Sequence, residues 1–572
     1  MTQLTPDLLR QATNGTWVAR MPEIELPPDR PADMPPPPPS ALCAAITGVS
    51  TDTRSIAPGN VFVALRGERF DGHDYLLDAA RAGAVALIVD DLSRVPADGF
   101  KAATRGEGVG ILKVADTGKA LLSIAAAYRK AFTRTKVIAV CGSNGKTTTT
   151  RFIHHVLSAA MKGSHSPKSF NNAVGVPLTL LAVQPGDQFV VCEVGTSAPG
   201  EIAMLGDVVR PDIAVITSIG REHLEFLKDL AGVAREEAAI AQCVKPKGCV
   251  VLSADSPELA PHAGTRRDCM YITFGLSDRA SLRATDVRHV ELPTAGGAGG
   301  KGGATAAGAE GGGTTFGVSF GINGRTPVTI PVLGRHNAVN ALAAIAVARR
   351  LNIDDARVRE ALGTLRLPEL RLDQRRVRLK GGEATVVADC YNANPDSMHA
   401  ALLTLMDVPW TGRRVAVLGD MLELGPGSPA LHEGVLTELA GLAPDSRTLA
   451  VLVGEMMRSA APVLHRAGWS SDRVVVVSGV DSPELCRGVA DLLEPGDLVL
   501  LKGSRRMGLE RVLGLLEGRP GRLRRRRERR RTSGRQGNRP AHGVPSSLRG
   551  LRGNARRDRA TARAHGPGRP RP

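Results

Sequence analysis

From Lys136 to about Leu516, short β-branched apolar runs alternate with amphipathic stretches of helix length, a pattern that predicts parallel α/β domains. The expected strands include 137–141, 189–193, 213–218, 386–389, 415–418, 474–477 and 498–501. Two stretches of the chain stand apart from the pattern. Residues 23–40 are proline-rich, ending in Pro35 to Pro39, and read as an extended loop within the first domain. Thr294 to Thr315 is almost all Gly and Ala and reads as a long hairpin tip without chemistry.

A chain of 572 residues with 42% hydrophobic content exceeds one core of ordinary size. We expect three α/β domains: a small one over 1–130, a central parallel-sheet domain over 131–332 that includes the Gly/Ala insert, and a Rossmann-like domain over 333–518. No run of eighteen apolar residues and no charged-then-apolar leader is present, so neither a membrane span nor export is expected and the cytoplasm is the expected location. The eight cysteines form no C-x-x-C pair and read as small buried hydrophobes in a reducing compartment.

The formal charge of +17 changes little once it is located. Residues 519–572 hold 19 arginines against Glu528 and Asp558, which is 19 − 2 = +17, so the preceding 518 residues carry no net charge. A segment so rich in Arg, Gly and Pro cannot bury a core and is expected to be a disordered tail. Nucleic-acid binding is not expected of the folded domains; a nucleic-acid-binding protein working through this tail is one alternative.

Candidate chemistry begins at Val137-Ile-Ala-Val-Cys-Gly142-Ser143-Asn144-Gly145-Lys146-Thr147-Thr148, a strand, a glycine turn and a helix start. Backbone N–H groups of such a loop face an anion, and the helix N-terminus favours it, so the loop suits ATP phosphates. Lys146 would reach the β- and γ-phosphates and Thr147 would ligate Mg²⁺. Val140 stands where the longer G-x-x-x-x-G-K-[ST] pattern needs Gly, so this is a shortened variant. Ligands of open α/β sheets sit beyond the carboxyl ends of strands. There Glu193 and His223 are the expected further Mg²⁺ ligands.

These residues together resemble the Mur ligase family of ATP-dependent amide ligases. The resemblance runs from about Ile46 to Leu516. Asp52-Thr-Arg54 through Ala64 and Asp71-Gly72-His73 resemble the family's UDP-sugar domain. Asn171-Asn172-Ala-Val-Gly175, Glu193-Val-Gly195 and His223-Leu-Glu225 resemble its central domain, and Gly334-Arg-His336-Asn337-Ala-Val-Asn340 its helix near the adenine. Asp389-Cys-Tyr391-Asn392-Ala-Asn394-Pro395-Asp396-Ser397, Leu418-Gly419-Asp420-Met421-Leu-Glu423-Leu-Gly425 and Lys502-Gly503-Ser504-Arg505 resemble the member that adds D-alanyl-D-alanine, not those adding alanine, glutamate or the third residue.

The resemblance implies a three-domain ligase that joins D-alanyl-D-alanine to a UDP-linked muramoyl tripeptide through an acyl phosphate. It implies that Asn337 and Asn340 hold adenine and that Arg371 and Asp389 reach the nucleotide. Asp52, Arg54, Asn171 and Asn172 would contact the UDP-linked substrate. Asn394, Lys502 and Ser504 would contact the dipeptide and the reacting carboxyl. A folate polyglutamate ligase shares the fold and chemistry, but Tyr391–Pro395 argues against it; a catalytically inactive ATP-binding protein is the other alternative. One departure carries chemistry: Glu237 aligns where the family places a carbamylated lysine. A glutamate supplies that carboxylate directly on a shorter arm, so activity without bicarbonate is expected. Otherwise Glu237 is a solvated helix residue, with Glu236 or water in the role.

Overall fold

In the computed structural model the described residues are 4–18, 46–68, 70–97, 100, 108–167, 169–292, 315–325, 327–444 and 447–518. The proline-rich stretch, the Gly/Ala insert except Thr315, and the Arg-rich segment 519–572 lie outside them.

Three sheets carry the fold. The first has five strands in the order Thr16–Val18, Gly110–Lys113, Ala86–Val89, Asn60–Val63, Gly48–Ser50, parallel except where Thr16–Val18 joins. The second has nine, with Lys136–Cys141 between Phe189–Glu193 and Ile213–Ile216, followed outward by Cys249–Ser253 and Met270–Gly275. Leu282–Leu292 and Thr315–Ile322 pair antiparallel at its far side, Leu292 opposite Thr315. The Gly/Ala insert therefore joins the two arms of a hairpin. The third sheet has six strands, with Leu498–Lys502 between Gly382–Asp389 and Arg414–Gly419.

The central parallel strands are apolar nearly throughout because helices cover both faces. Val137 to Cys141 have no exposed surface, and neither do Val190 to Cys192. The expected run 213–218 ends as a strand at Ile216, where the chain turns to serve the phosphate loop. The helix Lys146–Ser158 opens with four β-branched threonines, poor helix formers. Burial of Thr147 to Thr150 and of Phe152, Ile153 and Val156 stabilises it instead.

The boundary expected at 332/333 needs correction. The helix Arg335–Arg350 packs on Lys146–Ser158 and on the nine-stranded sheet, and Ala341 to Ala348 are buried there. By packing it belongs to the central layer, and the third sheet begins only at Asp373. The helix Thr117–Lys130 is shared likewise: it packs against Pro6–Thr13 and also against Gly175–Leu181 and Glu201–Val209. Among the described residues no helix is long and apolar enough to cross a membrane.

Candidate active site

The glycine loop is shaped by two close approaches. Gly142 has φ +115, and a Cβ there would lie 2.4 Å from Thr217 Oγ1; Gly145 has φ +84, and its Cβ would lie 2.7 Å from Asn340 Oδ1. Only glycine fits either place without strain. The loop is tied to the next strand end: Ser143 N–H donates to Ser218 O at 2.7 Å, Gly220 N–H to Ser143 Oγ at 2.9 Å, and Thr217 Oγ1 to Asn144 O at 2.6 Å. Lys146 Nζ folds back to donate to Gly142 O at 2.5 Å and Ser143 O at 3.1 Å.

Beyond the loop opens a cleft of about 930 Å³, lined by all three of the expected Mg²⁺ ligands, Thr147, Glu193 and His223, and by Ser143 to Thr148 of the loop. Asn171, Asn172, Asn337 and Asn340 line it from the central layer, and Arg371, Asp389 and Lys502 from beside or within the third sheet. The structure thus brings most of the sequence-predicted residues to one place. Asp52 and Arg54 lie on the first sheet instead. Asp52 caps the turn Thr53–Ser55, and the hydrogen bonds from Arg54 hold its carboxyl at about 2.

Glu193 is buried at the end of its strand. Its Oε1 accepts from Asn171 Nδ2 at 3.0 Å, while Oε2 has no hydrogen-bond partner. Burial raises its pKa, and Lys146, Thr147 and Arg371 only partly oppose the rise. A buried carboxylate oxygen left open beside a threonine hydroxyl suits a hard cation that takes oxygen ligands. Among the described residues no group of three or more His, Cys, Asp and Glu side chains could hold a metal. Any such ion would therefore complete its shell from phosphate and water. Burial opposes the charge of Lys146, but Glu222, Glu237 and Glu193 together outweigh it and hold the ammonium above its ordinary pKa.

Glu222, 3.5 Å from Lys146 Nζ, was not anticipated. It lies six residues past the strand end at Ile216, one residue before His223, so the signal that singled out Glu193, an acid closing a strand, does not mark it, and its partner is set by the fold. Arg371 bridges two layers: its Nη2 donates to Thr147 Oγ1 at 3.1 Å, and its guanidinium lies 4.4 Å from the centre of the Tyr391 ring.

Several assigned residues have partners that narrow their roles. Asn340 Oδ1 accepts from Thr149 at 3.2 Å, Asn340 Nδ2 donates to Asn337 Oδ1 at 2.9 Å, and Asn337 Nδ2 donates to Leu333 O at 2.6 Å. The pair therefore fastens Arg335–Arg350 to the phosphate-loop helix. Lys502 Nζ meets Asp389 Oδ2 and Asn392 O, each at 2.8 Å. Asn394 caps Pro395–Asp407 in a capping box with Ser397 and donates to Asn144 Oδ1 at 3.0 Å. Ser504 Oγ accepts from Leu422 N–H at 2.9 Å. Neither Asn394 nor Ser504 lines the cleft; both hold the scaffold.

Glu237 is not a solvated residue, nor does it face the cleft. It is fully buried behind the loop, where Oε2 accepts from Gly142 N–H at 2.7 Å and Oε1 has no partner. Burial lifts its pKa to about 7 against the pull of Lys146, and the repulsion of Glu222 adds to the rise. Glu236 is engaged elsewhere, accepting from Gly200 N–H and Ile202 N–H at 2.8 Å each at the start of Glu201–Val209. The charge of Glu237 therefore acts through the loop and on Lys146. It does not enter the cleft as the expected metal-orienting arm.

Comparison with known proteins agrees with this architecture. The family models described as Mur ligase family, catalytic domain, Mur ligase middle domain, and Mur ligase, glutamate ligase domain match residues 45–129, 140–348 and 375–505. A Bacillus subtilis protein named UDP-N-acetylmuramoyl-tripeptide--D-alanyl-D-alanine ligase is 32% identical over 469 residues, 82% of this chain and 92% of its own. The Escherichia coli protein of the same name is 32% identical over 490 residues, 82% of this chain and 94% of its own. A crystal structure of MurF from Acinetobacter baumannii matches with a TM-score of 0.70 at 26% identity, covering 91% of this chain and 99% of that one. With these matches along three domains, around a cleft built from the phosphate loop and the third sheet, the chain belongs to the Mur ligase family.

Proposed function

We propose that this chain joins D-alanyl-D-alanine to UDP-N-acetylmuramoyl tripeptide, with ATP converted to ADP and phosphate. The observation that supports the reading is the single cleft in which an ATP-type phosphate loop meets Arg371, Asp389 and Lys502. The tripeptide's terminal carboxylate attacks the γ-phosphorus, giving an acyl phosphate and ADP. The dipeptide amine attacks that carbonyl, the C–O bond to phosphate breaks, and an amide remains. Activation is needed because a free carboxylate resists an amine.

Lys146 and the loop N–H groups stabilise the phosphates, and Arg371 adds positive charge beside Thr147. Thr147 and Glu193, with His223 at the same cleft, would hold Mg²⁺, which when bound neutralises charge on the phosphates. Asn171 and Asn172 face the cleft as contacts for the acceptor peptide, and Asp52 and Arg54 are the contacts proposed for the UDP-linked end. Phosphate release should require the tripeptide and D-alanyl-D-alanine together, with pentapeptide appearing by mass. Phosphate release that ignores the dipeptide would contradict the reading.

Glu237 brings its charge to the loop and to Lys146 without carbamylation, which makes a second expectation. Turnover should be the same in bicarbonate-depleted and bicarbonate-supplemented buffer. A rate that rises with bicarbonate would assign the missing charge to a carbamylated lysine elsewhere.

A further inference from the structure

Beside the main cleft lies a side pocket of about 340 Å³, walled by Arg221 on one side and by the helices Pro395–Asp407 and Ser428–Leu442 on the other. Its apolar surface comes from Pro395, Ala430, Leu431 and Val435, and its polar groups are Arg221, Asp396, His399 and Glu438. Asp396 and His399 line both the pocket and the cleft, whereas Arg221 and Glu438 line only the pocket. The passage to the reacting centre therefore runs past Asp396 and His399.

The polar groups are arranged with a direction. Arg221 is exposed, and its guanidinium makes no ion pair among the described residues; its backbone N–H donates to Asp396 Oδ2 at 2.8 Å. His399 Nδ1 is paired with Glu438. A carboxylate on Nδ1 keeps the proton there and leaves Nε2 as the basic nitrogen. Gly434, mid-helix and lining the pocket, has nothing within 4 Å of where its Cβ would stand. Space is left open there.

We propose that this pocket is the subsite for the incoming D-alanyl-D-alanine. The inference rests on the ligase reading above. Arg221 takes the dipeptide carboxylate, the apolar walls take its two methyl groups, and the ammonium lies at the junction beside Asp396 and His399. An ammonium has no lone pair to attack with. Its proton passes to His399 Nε2, the freed amine forms the N–C bond with the acyl phosphate carbonyl, and phosphate leaves with the electrons of the broken C–O bond. The second amine proton passes to the departing phosphate, which leaves as hydrogen phosphate as the tetrahedral centre collapses to the amide. Asn394 and Ser504, tied into the scaffold, position the neighbouring helix and loop.

Three variants test this with the full chain. Gly434→Leu replaces a helix-interior glycine with a better helix former where an added Cβ meets nothing within 4 Å, so the fold should persist, with a thermal melt as the control. It should raise KM for the dipeptide at least tenfold while leaving KM for ATP and tripeptide unchanged. Arg221→Gln should do the same for D-alanyl-D-alanine but make no difference to its C-terminal amide, which lacks the carboxylate. His399→Asn should lose kcat with the dipeptide yet keep hydroxamate formation from hydroxylamine, a nucleophile largely unprotonated at neutral pH. Unchanged dipeptide KM in both Gly434→Leu and Arg221→Gln, with an active parent, overturns the subsite. Equal loss with dipeptide and hydroxylamine in His399→Asn overturns the proton transfer. A parent that makes no pentapeptide would refute the ligase reading itself.

Discussion

Lys146→Met is expected to lower kcat/KM for ATP-dependent ligation by about 10²–10³-fold, the usual loss when one preorganised charge donor is removed from a transition state. Lys146 is the loop's own cation, and Nζ is held on Gly142 O and Ser143 O, 3.5 Å from Glu222. The carboxylates of Glu222, Glu237 and Glu193 support its charge in a site where burial opposes it. Methionine keeps the length of the stem and removes the charge, so the fold should persist. ADP formation against ATP concentration, with a thermal melt as the control for folding, checks this. A loss smaller than about tenfold would place phosphate stabilisation on other groups.

The second large effect concerns Glu237. Its carboxyl is raised from 4.5 to about 7 by burial in the folded protein, so between those values the folded chain binds more protons than the unfolded one. The sign follows from linkage: stability is fully present below about 4.5 and is lost as pH rises toward 7. At 1.36 kcal/mol per pKa unit the full loss is on the order of 3 kcal/mol. Glu237→Gln is neutral at every pH, and its amide oxygen can still accept from Gly142 N–H. It should melt close to the parent at pH 5 and above it at pH 8. Because the lost charge is one of those that keep Lys146 protonated, turnover at pH 8 should fall as stability rises, the pattern of a charge kept for function. Melting curves and phosphate release at the two pH values measure both. A variant that melts lower at pH 8 would show that the ionised carboxylate stabilises the loop.

Much of this was legible in the chain because parallel strands buried on both faces are nearly pure apolar runs, and the residues at their carboxyl ends are polar by contrast. The phosphate loop, Glu193 and His223 stand out on that basis. What could not be read was pairing between distant segments. Asn144 and Asn394 are 250 residues apart and meet through one hydrogen bond of 3.0 Å, and no local pattern announces it. The helix Arg335–Arg350 begins with polar residues and continues as an alanine-rich run; periodicity gives its buried face but not which sheet it faces, so the boundary was set too early. Glu237 shows the same limit: its place in the helix was readable, but its burial behind Gly142 depends on how that helix docks. For Asn394 and Ser504, a polar side chain in a family motif looks the same in sequence whether it meets a ligand or the backbone.

The acyl phosphate is the centre of the account, and isotope transfer tests it most directly. Tripeptide carrying ¹⁸O at both oxygens of its terminal carboxylate should be incubated with the chain, ATP, Mg²⁺ and D-alanyl-D-alanine, and the released phosphate analysed by mass. One ¹⁸O should appear in each phosphate, because the carboxylate oxygen that attacks the γ-phosphorus leaves with it. Unlabelled phosphate alongside pentapeptide would contradict the account, since the carboxyl would then have been activated without a bond to the γ-phosphorus.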